Sequence, residues 1–422
     1  MSHINLIGKT SQNKRKLVND PVFGFINIPS EIIFDLIEHP WFQRLRRIKQ
    51  LGLSYYVFPG AVHTRFQHVL GAMHLLQNAI TVIRSKGHII TEEEAEAATI
   101  AILLHDIGHA PLSHSLERKI LNNSHEELTL QFMKCLDHHF KGKLSLAIKI
   151  FTNQYHKKFL HQLVSSQLDM DRLDFLRRDS FFTGVSEGVI GSERIIKMLN
   201  VSDDNLVIDS KGIYSIEKFL IARRLMYWQV YLHKTVIAVE KLVDKIIDRS
   251  RFVIKNEGGL FGTPELLFFL KSSEQLQKKE ETLISHDLLV KFAQLDDFDL
   301  LTSIKVWTKH TDKILSTLCN NLINRKLFKI ELQNKPFAEN RIHALKQKVQ
   351  KVFKISKQDC SYFVFSQTIS NTAYDPTHDE IYILYKEGSV KNLTKASDIL
   401  NIPMLSKNIK KYFLCYPKEI LI

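Results

Sequence analysis

Residues 91–109 read TEEEAEAATIAILLHDIGH, and this stretch decides the fold. Thr91 stands where a helix N-cap is expected, an acidic first turn follows, and the second half is almost wholly apolar. The helix runs directly into adjacent His105 and Asp106, with Gly108 just beyond them. At a helix end both side chains can converge on one ion, and imidazole with carboxylate suits a divalent metal. The pattern predicts a metal site at the end of a buried helix.

Two further segments carry the same residue types: HTRFQHVLGAMH at 63–74 and SSQLDMDRLDFLRRDS at 165–180. The chain has 19 histidines, so an isolated His-Asp pair would mean little. The ordered pattern of His, His-Asp and Asp, each within a helical segment, favours a shared site. We therefore predict that His68 and Asp171 complete a metal shell with the pair described above.

The remaining pattern is mainly helical, with short strands expected at 16–29. Residues 31–48 are predicted to form one helix after Ser30, and residues 215–250 to form a long, nearly unbroken one. After Asn324, aromatic and β-branched runs predict strands, with a helix over 341–353. The predicted fold is mainly α: an all-helical catalytic body over 1–324, whose motif core spans about 65–180, and an α+β C-terminal unit over 325–422 with no assigned role.

Composition narrows the class of protein. None of the apolar runs in the 422 residues approaches a membrane span, the N-terminus lacks a secretory signal, and the four cysteines form no CxxC pair. A cytoplasmic protein without a membrane partner is expected. The net charge of +13 suits a polyanionic ligand, although a simply basic surface would account for it. A nucleic-acid partner is compatible with this charge, but no recognition motif establishes one.

Seven blocks follow one another from Asn19 to Lys234, and together they resemble the deoxynucleoside triphosphate triphosphohydrolases of the HD phosphohydrolase superfamily. The resemblance implies hydrolysis of a deoxynucleoside triphosphate by water attack on the α-phosphorus, which releases a deoxynucleoside and triphosphate. It assigns the metal ligands as His68, His105, Asp106 and Asp171. The ion would be divalent (Mg, Mn, Fe, Zn, Co or Ni), and the sequence does not distinguish these. The blocks are NDPVFGFI, HPWFQRLRRIKQLG, YYVFPGAVHTRFQHVLGAMHL, LLHDIGHAPLSH, SHEE, LDMDRLDFLRRDSFFTG and RRLMYWQVYLHK.

The same resemblance implies roles around the phosphates. The phosphate-facing cations would be Arg65, Arg172, Arg223 and Lys234, with Arg172 standing where many relatives have Lys. Three histidines match positions beside the metal ligands: His109, His114 and His125. We take His125 as the general acid, oriented by Glu117, because histidine exchanges protons near neutral pH; a solvated loop histidine is the alternative.

Nucleoside recognition would fall to a second group. Gln50 and Asp179 match groups that bond the 3′-hydroxyl, Leu51 stands beside them, and Tyr231 matches a ring against the 2′ side of the sugar. Phe175 departs from the family, which usually has Tyr there and so offers one more polar contact. Core packing is an equal alternative for Phe175.

The resemblance also implies regulation by a bound nucleotide. Relatives often form tetramers (a dimer is the smaller alternative) activated by a guanine nucleotide between subunits. Gln43 and Arg46 match guanine-reading positions, and Glu38 stands where an Asp is expected. All three are predicted to lie on one helix; alternatively, QRLRR at 43–47 is a solvated basic face.

Two other functions compete with the leading one. The first is an HD-type hydrolase of another phosphate ester: a nucleotide monophosphate, a cyclic dinucleotide or a nucleic-acid end. The second is a basic, nucleic-acid-binding regulatory protein with little turnover. The full set of metal ligands argues against the second.

Overall fold

A computed structural model describes residues 16–117, 119–278, 284–371, 380–397 and 408–421. Helices dominate these residues, which confirms the mainly α prediction. Within the described chain no helix combines the length and apolar character needed to cross a membrane. The helices are α1 Glu31–Glu38, α2 Pro40–Gln43, α3 Arg65–Ser85, α4 Glu92–Leu104, α5 His125–His139, α6 Ser145–Phe151, α7 Lys158–Val164, α8 Met170–Thr183, α9 Ser192–Met198, α10 Ile213–Met226, α11 Lys234–Glu257, α12 Pro264–Lys278, α13 His286–Gln294, α14 Asp297–Trp307, α15 Lys313–Ile323, α16 Glu339–Phe353 and α17 Leu393–Ala396.

Nine strands form three small sheets within the described residues. The strands are β1 Leu17–Asp20, β2 Gly24–Asn27, β3 Leu199–Ser202, β4 Asn205–Asp209, β5 Lys329–Gln333, β6 Phe365–Asn371, β7 Tyr382–Leu384, β8 Val390–Asn392 and β9 Ile409–Tyr416. Strands β1 and β2 make a hairpin, and β9 lies between β5 and β6 in an antiparallel sheet. In the third sheet, of order β3-β4-β7-β8, β7 pairs in parallel with β4. The domain boundary at Asn324 stays a prediction, and this sheet draws strands from both sides of it.

The centre of the body is α4, packed against α3 and α6. Thr91 and Glu94 form the capping box at its start: the Glu94 N–H donates to the Thr91 hydroxyl over 3.1 Å, and the Thr91 N–H donates to the Glu94 carboxylate over 2.9 Å. Residues 97–104 are buried throughout, as a central helix requires. Because α4 ends at Leu104, His105 and Asp106 fall in the turn that follows, as predicted.

The β3–β4 hairpin was not predicted. Asp203 and Asp204 connect its strands with φ of 48° and 58°, and two consecutive left-handed residues are typical of a tight hairpin turn. The sequence LNVSDDNLVID carries this signal between two β-branched runs. The four strand predictions after Asn324 and the helix between them are confirmed in the described residues.

Two predicted helices are interrupted. The single helix over 31–48 is wrong: α1 ends at Glu38 and His39 is extended (ψ 136°), because Pro40 disfavours helical geometry in the residue before it. The helix over 215–250 is broken by a π-helical segment, Tyr227–Tyr231, and a turn at His233. The Leu232 N–H donates to the Tyr227 carbonyl over 2.7 Å, five residues back, instead of continuing the α-helical pattern.

Candidate metal centre and substrate cavity

Three elements bring the predicted metal ligands together. Helix α3 carries His68, the turn after α4 carries His105, and the first turn of α8 carries Asp171. His68 Nε2 lies 3.0 Å from Asp171 Oδ1, and His105 Nε2 lies 3.5 Å from the same oxygen. Their ligand atoms all lie within 4.8 Å of one another. This spacing allows the three side chains to bind one ion.

Asp106 borders the same space. Its Oδ2 lies 3.5 Å from His68 Nε2, and its Oδ1 lies 3.4 Å from His105 Nε2. The carboxylate also pairs with the Arg65 guanidinium and lies 3.2 Å from His109 Nδ1. All four predicted ligands therefore meet at one place, with Asp106 shared between the cluster and Arg65.

The hydrogen bonds of His68 and His105 indicate whether a cation would fit between them. The Nε2 atoms of His68 and His105 are buried and make no hydrogen bond. Their other nitrogens are fixed: Asp174 holds His68 Nδ1 at 2.7 Å, and the Ile102 carbonyl holds His105 Nδ1 at 2.6 Å. Buried nitrogens without hydrogen bonds are uncommon, and ligating histidines are usually held through their other nitrogen in this way. The residues fit a divalent metal ion.

The charges within the cluster reinforce one another. Burial by itself lowers the pKa of His68, but the carboxylates of Asp171 and Asp174 outweigh it and raise that pKa to about 10. Burial likewise opposes ionisation of Asp171, yet its contacts with the two imidazoles lower its pKa. A metal ion requires neutral imidazoles, so binding of an ion would be coupled to proton release.

A buried ionic chain behind His68 was missed by the sequence analysis. The Arg178 guanidinium donates to Asp174 over 2.9 Å and to Asp20 over 2.7 Å, while Asp174 holds His68. Gly71 makes room for it, because an added Cβ would lie 1.9 Å from Asp174 Oδ1. The spacing of Asp174 and Arg178, four residues apart on α8, was the available signal.

Arg44 was also missed. The alternative of a solvated basic face over 43–47 is wrong for this residue, which is 1% exposed. Its guanidinium donates to the carbonyls of His109 (2.8 Å), Leu295 (2.7 Å) and Ile107 (3.4 Å). Burial lowers the pKa of Arg44 to about 10. Arg44 thus links the turn at Ile107 and His109 to Leu295, which lies between α13 and α14.

His125 opens α5 beside the cluster. Ser124 caps the helix through the Glu127 N–H at 3.2 Å, and Glu117 Oε1 lies 2.7 Å from His125 Nδ1. The rings of His109 and His125 lie 4.0 Å apart between centroids. Burial, with Arg65 adding to it, holds the pKa of His109 well below its usual value. The side chain of His114 lies outside the described part of the structure.

A cavity of about 650 Å³ opens onto the cluster. His68, Glu117, Arg223 and Lys234 do not contribute to its lining, whereas Ser113, Tyr227 and Glu240 are lining residues that the sequence analysis did not identify. The predicted residues that line it are Gln50, Leu51, Arg65, His105, Asp106, His109, His125, Asp171, Arg172, Phe175, Asp179 and Tyr231.

The predicted cations differ in their surroundings. Arg65 donates to Ser113 Oγ over 2.8 Å besides pairing with Asp106. Arg172 pairs with Asp169, its own helix cap. Arg223 donates to Gln167 over 2.9 Å, and its buried Nε makes no hydrogen bond. The fourth, Lys234, is exposed at the start of α11 and lies outside the cavity lining.

All five residues of the predicted nucleoside group line the cavity. Both oxygens of Asp179 are occupied: His63 Nε2 lies 2.7 Å from Oδ1, and the Tyr231 hydroxyl donates to Oδ2 over 2.7 Å. Phe175 meets the Tyr231 ring edge-on at 6.0 Å. The Oε1 of Gln50 is buried without a hydrogen-bond partner. His63 was missed, since a histidine before a helix gives no periodic signal.

The predicted regulatory residues are not on one helix, because the chain breaks between α1 and α2. Glu38 ends α1 and is exposed, whereas Gln43 ends α2 and donates to the Ile37 carbonyl over 2.7 Å. The Arg46 guanidinium donates to Gln43 Oε1 over 2.8 Å and lies 3.5 Å above the Phe66 ring. Gln43 and Arg46 therefore form a pair.

Comparison with known proteins gives matches over most of the chain. Residues 65–167 match the HD domain family, and residues 190–255 match the HD associated region. The uncharacterized protein YwfO of Bacillus subtilis is 32% identical over 98% of this chain and 94% of its own length. Human SAMHD1, a deoxynucleoside triphosphate triphosphohydrolase, is 27% identical over 58% of this chain and 46% of its own. The crystal structure of a phosphohydrolase from Bacteroides thetaiotaomicron superposes with a TM-score of 0.91, at 53% identity, over 96% of this chain and all of that one.

Proposed function

The chain belongs to the HD-domain phosphohydrolase family, and on that premise we propose that it hydrolyses deoxynucleoside triphosphates to a deoxynucleoside and triphosphate. One observation carries the proposal. A single cavity is lined by three groups of side chains: His105, Asp106 and Asp171 of the His–Asp cluster, the arginines Arg65 and Arg172, and Gln50, Asp179 and Tyr231. A deoxynucleoside triphosphate has phosphates and a sugar that could use all three groups, and relatives such as SAMHD1 are named for this activity.

The ion would be held by His68, His105, Asp106 and Asp171. When bound, a divalent ion supplies Lewis acidity toward a phosphoryl oxygen and a nucleophile derived from water. The chain's own part is to fix the imidazoles through Asp174 and the Ile102 carbonyl, so that both Nε2 atoms face the same space.

Attack of water on the α-phosphorus breaks its bond to the 5′-oxygen, which must then gain a proton. His125 would donate it from Nε2, because Glu117 occupies Nδ1 and fixes the orientation of the ring. His109, whose ring centroid lies 4.0 Å from that of His125, would shape the site around the transferred proton. The same role is proposed for His114 from its position in the sequence. Glu126 also lines the cavity, and its Oε1 lies 3.2 Å from His125 Nε2.

The departing triphosphate carries several negative charges and needs cations around it. Arg65 and Arg172 line the cavity, and Arg223 lies behind the wall with an Nε free of hydrogen bonds. Lys234, two residues after the cavity-lining Leu232, would meet a phosphate that extends out of the cavity.

Deoxyribose would be selected by Gln50, Asp179 and Tyr231. Gln50 offers an unpaired acceptor to a sugar hydroxyl, and Asp179, which lines the same cavity, would contact the same hydroxyl. Tyr231, held by Asp179 and packed against Phe175, would occupy the space of a 2′-hydroxyl, with Leu51 beside the base. Comparing dGTP with GTP tests this. Tyr231→Ala should narrow the difference, whereas Tyr214→Ala, at an exposed tyrosine outside the cavity, should not.

The deciding experiment is a panel of deoxy- and ribonucleoside triphosphates with Mn²⁺, Mg²⁺, Fe²⁺ or Co²⁺, in which chromatography separates triphosphate from pyrophosphate. We expect triphosphate and deoxynucleoside in equal amounts. Nucleotide monophosphates, a cyclic dinucleotide and a 3′-phosphorylated oligonucleotide belong in the same panel. Hydrolysis of one of these, with the triphosphates left intact, would replace the proposed substrate.

We also propose that a guanine nucleotide activates the protein as a homo-oligomer, most simply a tetramer, through Glu38, Gln43 and Arg46. The support is the exposed Arg46–Gln43 pair, with Glu38 at the end of the preceding helix. Light scattering with and without dGTP, and rate curves for Arg46→Ala beside Arg194→Ala, test it. A monomer with hyperbolic kinetics that Arg46→Ala leaves unchanged would end this part of the proposal.

A further inference from the structure

One wall of the cavity is an irregular piece of helix. The π-helical segment Tyr227–Tyr231 joins α10 to α11, and both of its tyrosines line the cavity. Their rings meet edge-on at 5.1 Å. A π-helical turn is less stable than an α-helical one and is found mostly at functional sites, where surrounding contacts hold it. Contacts on the side of this segment that faces away from the cavity therefore decide how firmly the two tyrosines are held.

The C-terminal sheet supplies one of those contacts. Trp228, the residue after Tyr227, is half-buried, and the Lys411 ammonium lies 4.1 Å from the centroid of its ring. Lys411 belongs to β9, the central strand of the sheet β5-β9-β6. Lys411 pairs with Ile369 of β6, and the strand pairs with β5 as well from the next residue, Tyr412, onward, so the backbone of the lysine is held in the sheet. Among cation–π interactions, those with the face of a tryptophan ring are the strongest.

A second contact concerns the loop that holds Arg172 and Arg223. Ile381, just before β7, and Gln167 line the same small pocket. Gln167 accepts the hydrogen bond from Arg223, and the Ser166 carbonyl beside it accepts one from Arg172. The C-terminal residues thus border the loop that orients two of the proposed phosphate-binding arginines.

We propose that the C-terminal unit is a positioning element for the substrate cavity, and that Lys411 holds the π-helical segment in place through Trp228. Lys411 and Trp228 are positioning residues, since neither lines the cavity. The choice of dGTP for the test rests on the proposed function, whereas the role of Lys411 in holding the π-helical segment does not.

The test uses the full chain and three variants. Lys411→Ala removes the cation, Lys411→Arg keeps it, and Lys410→Ala is the matched control, because Lys410 is the neighbouring residue on the strand and lies over Tyr412 instead. Hydrogen–deuterium exchange is followed in peptides covering 227–233, and KM and kcat are measured with dGTP. Lys411→Ala should speed exchange there about threefold to tenfold and raise KM by a similar factor, with kcat within about twofold of the wild type. Lys411→Arg and Lys410→Ala should match the wild type.

Each contrary result has its own meaning. Unchanged exchange at 227–233 in Lys411→Ala overturns the proposal, and so does an equal increase in Lys410→Ala, which would indicate general loosening of the sheet. If Lys411→Ala exchanges faster but keeps the wild-type KM, the claim that this segment positions the substrate is overturned. If the wild-type protein hydrolyses no deoxynucleoside triphosphate, the proposed function fails, while the exchange measurements still decide the role of Lys411.

Discussion

Replacing Asp174 by Asn probes the candidate metal centre without changing any predicted ligand. The carboxylate is fully buried and serves two partners: it holds His68 Nδ1 at 2.7 Å, and it pairs with Arg178 through both oxygens at 2.9 Å. An amide of the same size keeps one acceptor but turns an NH₂ group toward a donor and removes the negative charge. Both contacts are therefore weakened by one substitution.

The structure sets the size of the effect. Removing one partner of a buried ion pair costs about 3–5 kcal/mol. Arg178 keeps Asp20 at 2.7 Å, so the lower end, about 3 kcal/mol, is expected for the free energy of unfolding. Loss of a hydrogen bond behind a ligating histidine lowers metal affinity about 10- to 100-fold. The two effects are separate, since the first is measured without metal.

Urea unfolding of chelator-treated protein gives the stability, and competition with a chelator of known affinity gives the metal dissociation constant for Mn²⁺. Asp35→Asn is the control, because Asp35 is exposed on α1. Wild-type metal affinity in Asp174→Asn would refute the role given to this residue. A loss of stability alone would reduce Asp174 to a structural partner of Arg178.

Three further predictions follow from the same region. His105→Ala should abolish metal content, measured by elemental analysis, and hydrolysis, with an unchanged circular dichroism spectrum. Gly71→Ala should lower the free energy of unfolding by about 1–3 kcal/mol in urea, because its Cβ would meet Asp174 and Arg178, whereas Gly191→Ala, where a Cβ has space, should change it by less than about 1 kcal/mol. Burial alone would raise the pKa of Glu94, but its contacts with Lys157, Tyr155 and the Thr91 amide outweigh burial and lower it. Its contribution to stability is therefore present above the unfolded carboxyl pKa and lost as pH falls through the folded one. The melting temperatures of Glu94→Gln and the wild type should differ at pH 7, and the difference should shrink as pH falls below the unfolded carboxyl pKa.

The residues that could be predicted are those with a local signal. Thr91 and the apolar run after it predicted α4 and its end, which is where His105 and Asp106 lie. His68 and Asp171 could be chosen because their residue types repeat the chemistry of that pair in helical segments. The strands after Asn324 were likewise marked by aromatic and β-branched runs.

The residues that could not be predicted depend on distant partners. Arg44 is held by the Leu295 carbonyl, 251 positions away, and Arg178 reaches Asp20 across 158. Nothing in the local sequence distinguishes a buried arginine with such partners from a solvated one. The break at Pro40 is different, because it could have been predicted from the sequence. Proline restricts the residue before it, but the apolar periodicity on both sides of Pro40 was given more weight.

The parallel pairing of β4 with β7 has a consequence for how the protein is made. The predicted metal ligands have all been synthesised once α8 is complete, and the β3–β4 hairpin follows soon after. Val207, however, pairs with Tyr382, so one edge of β4 exposes its amides and carbonyls until nearly the whole chain has emerged. Such an unpaired edge invites association between nascent chains. A message truncated before residue 382 would thus encode every predicted metal ligand and still yield a polypeptide prone to aggregate. Chaperone demand during synthesis should be greatest between these two strands.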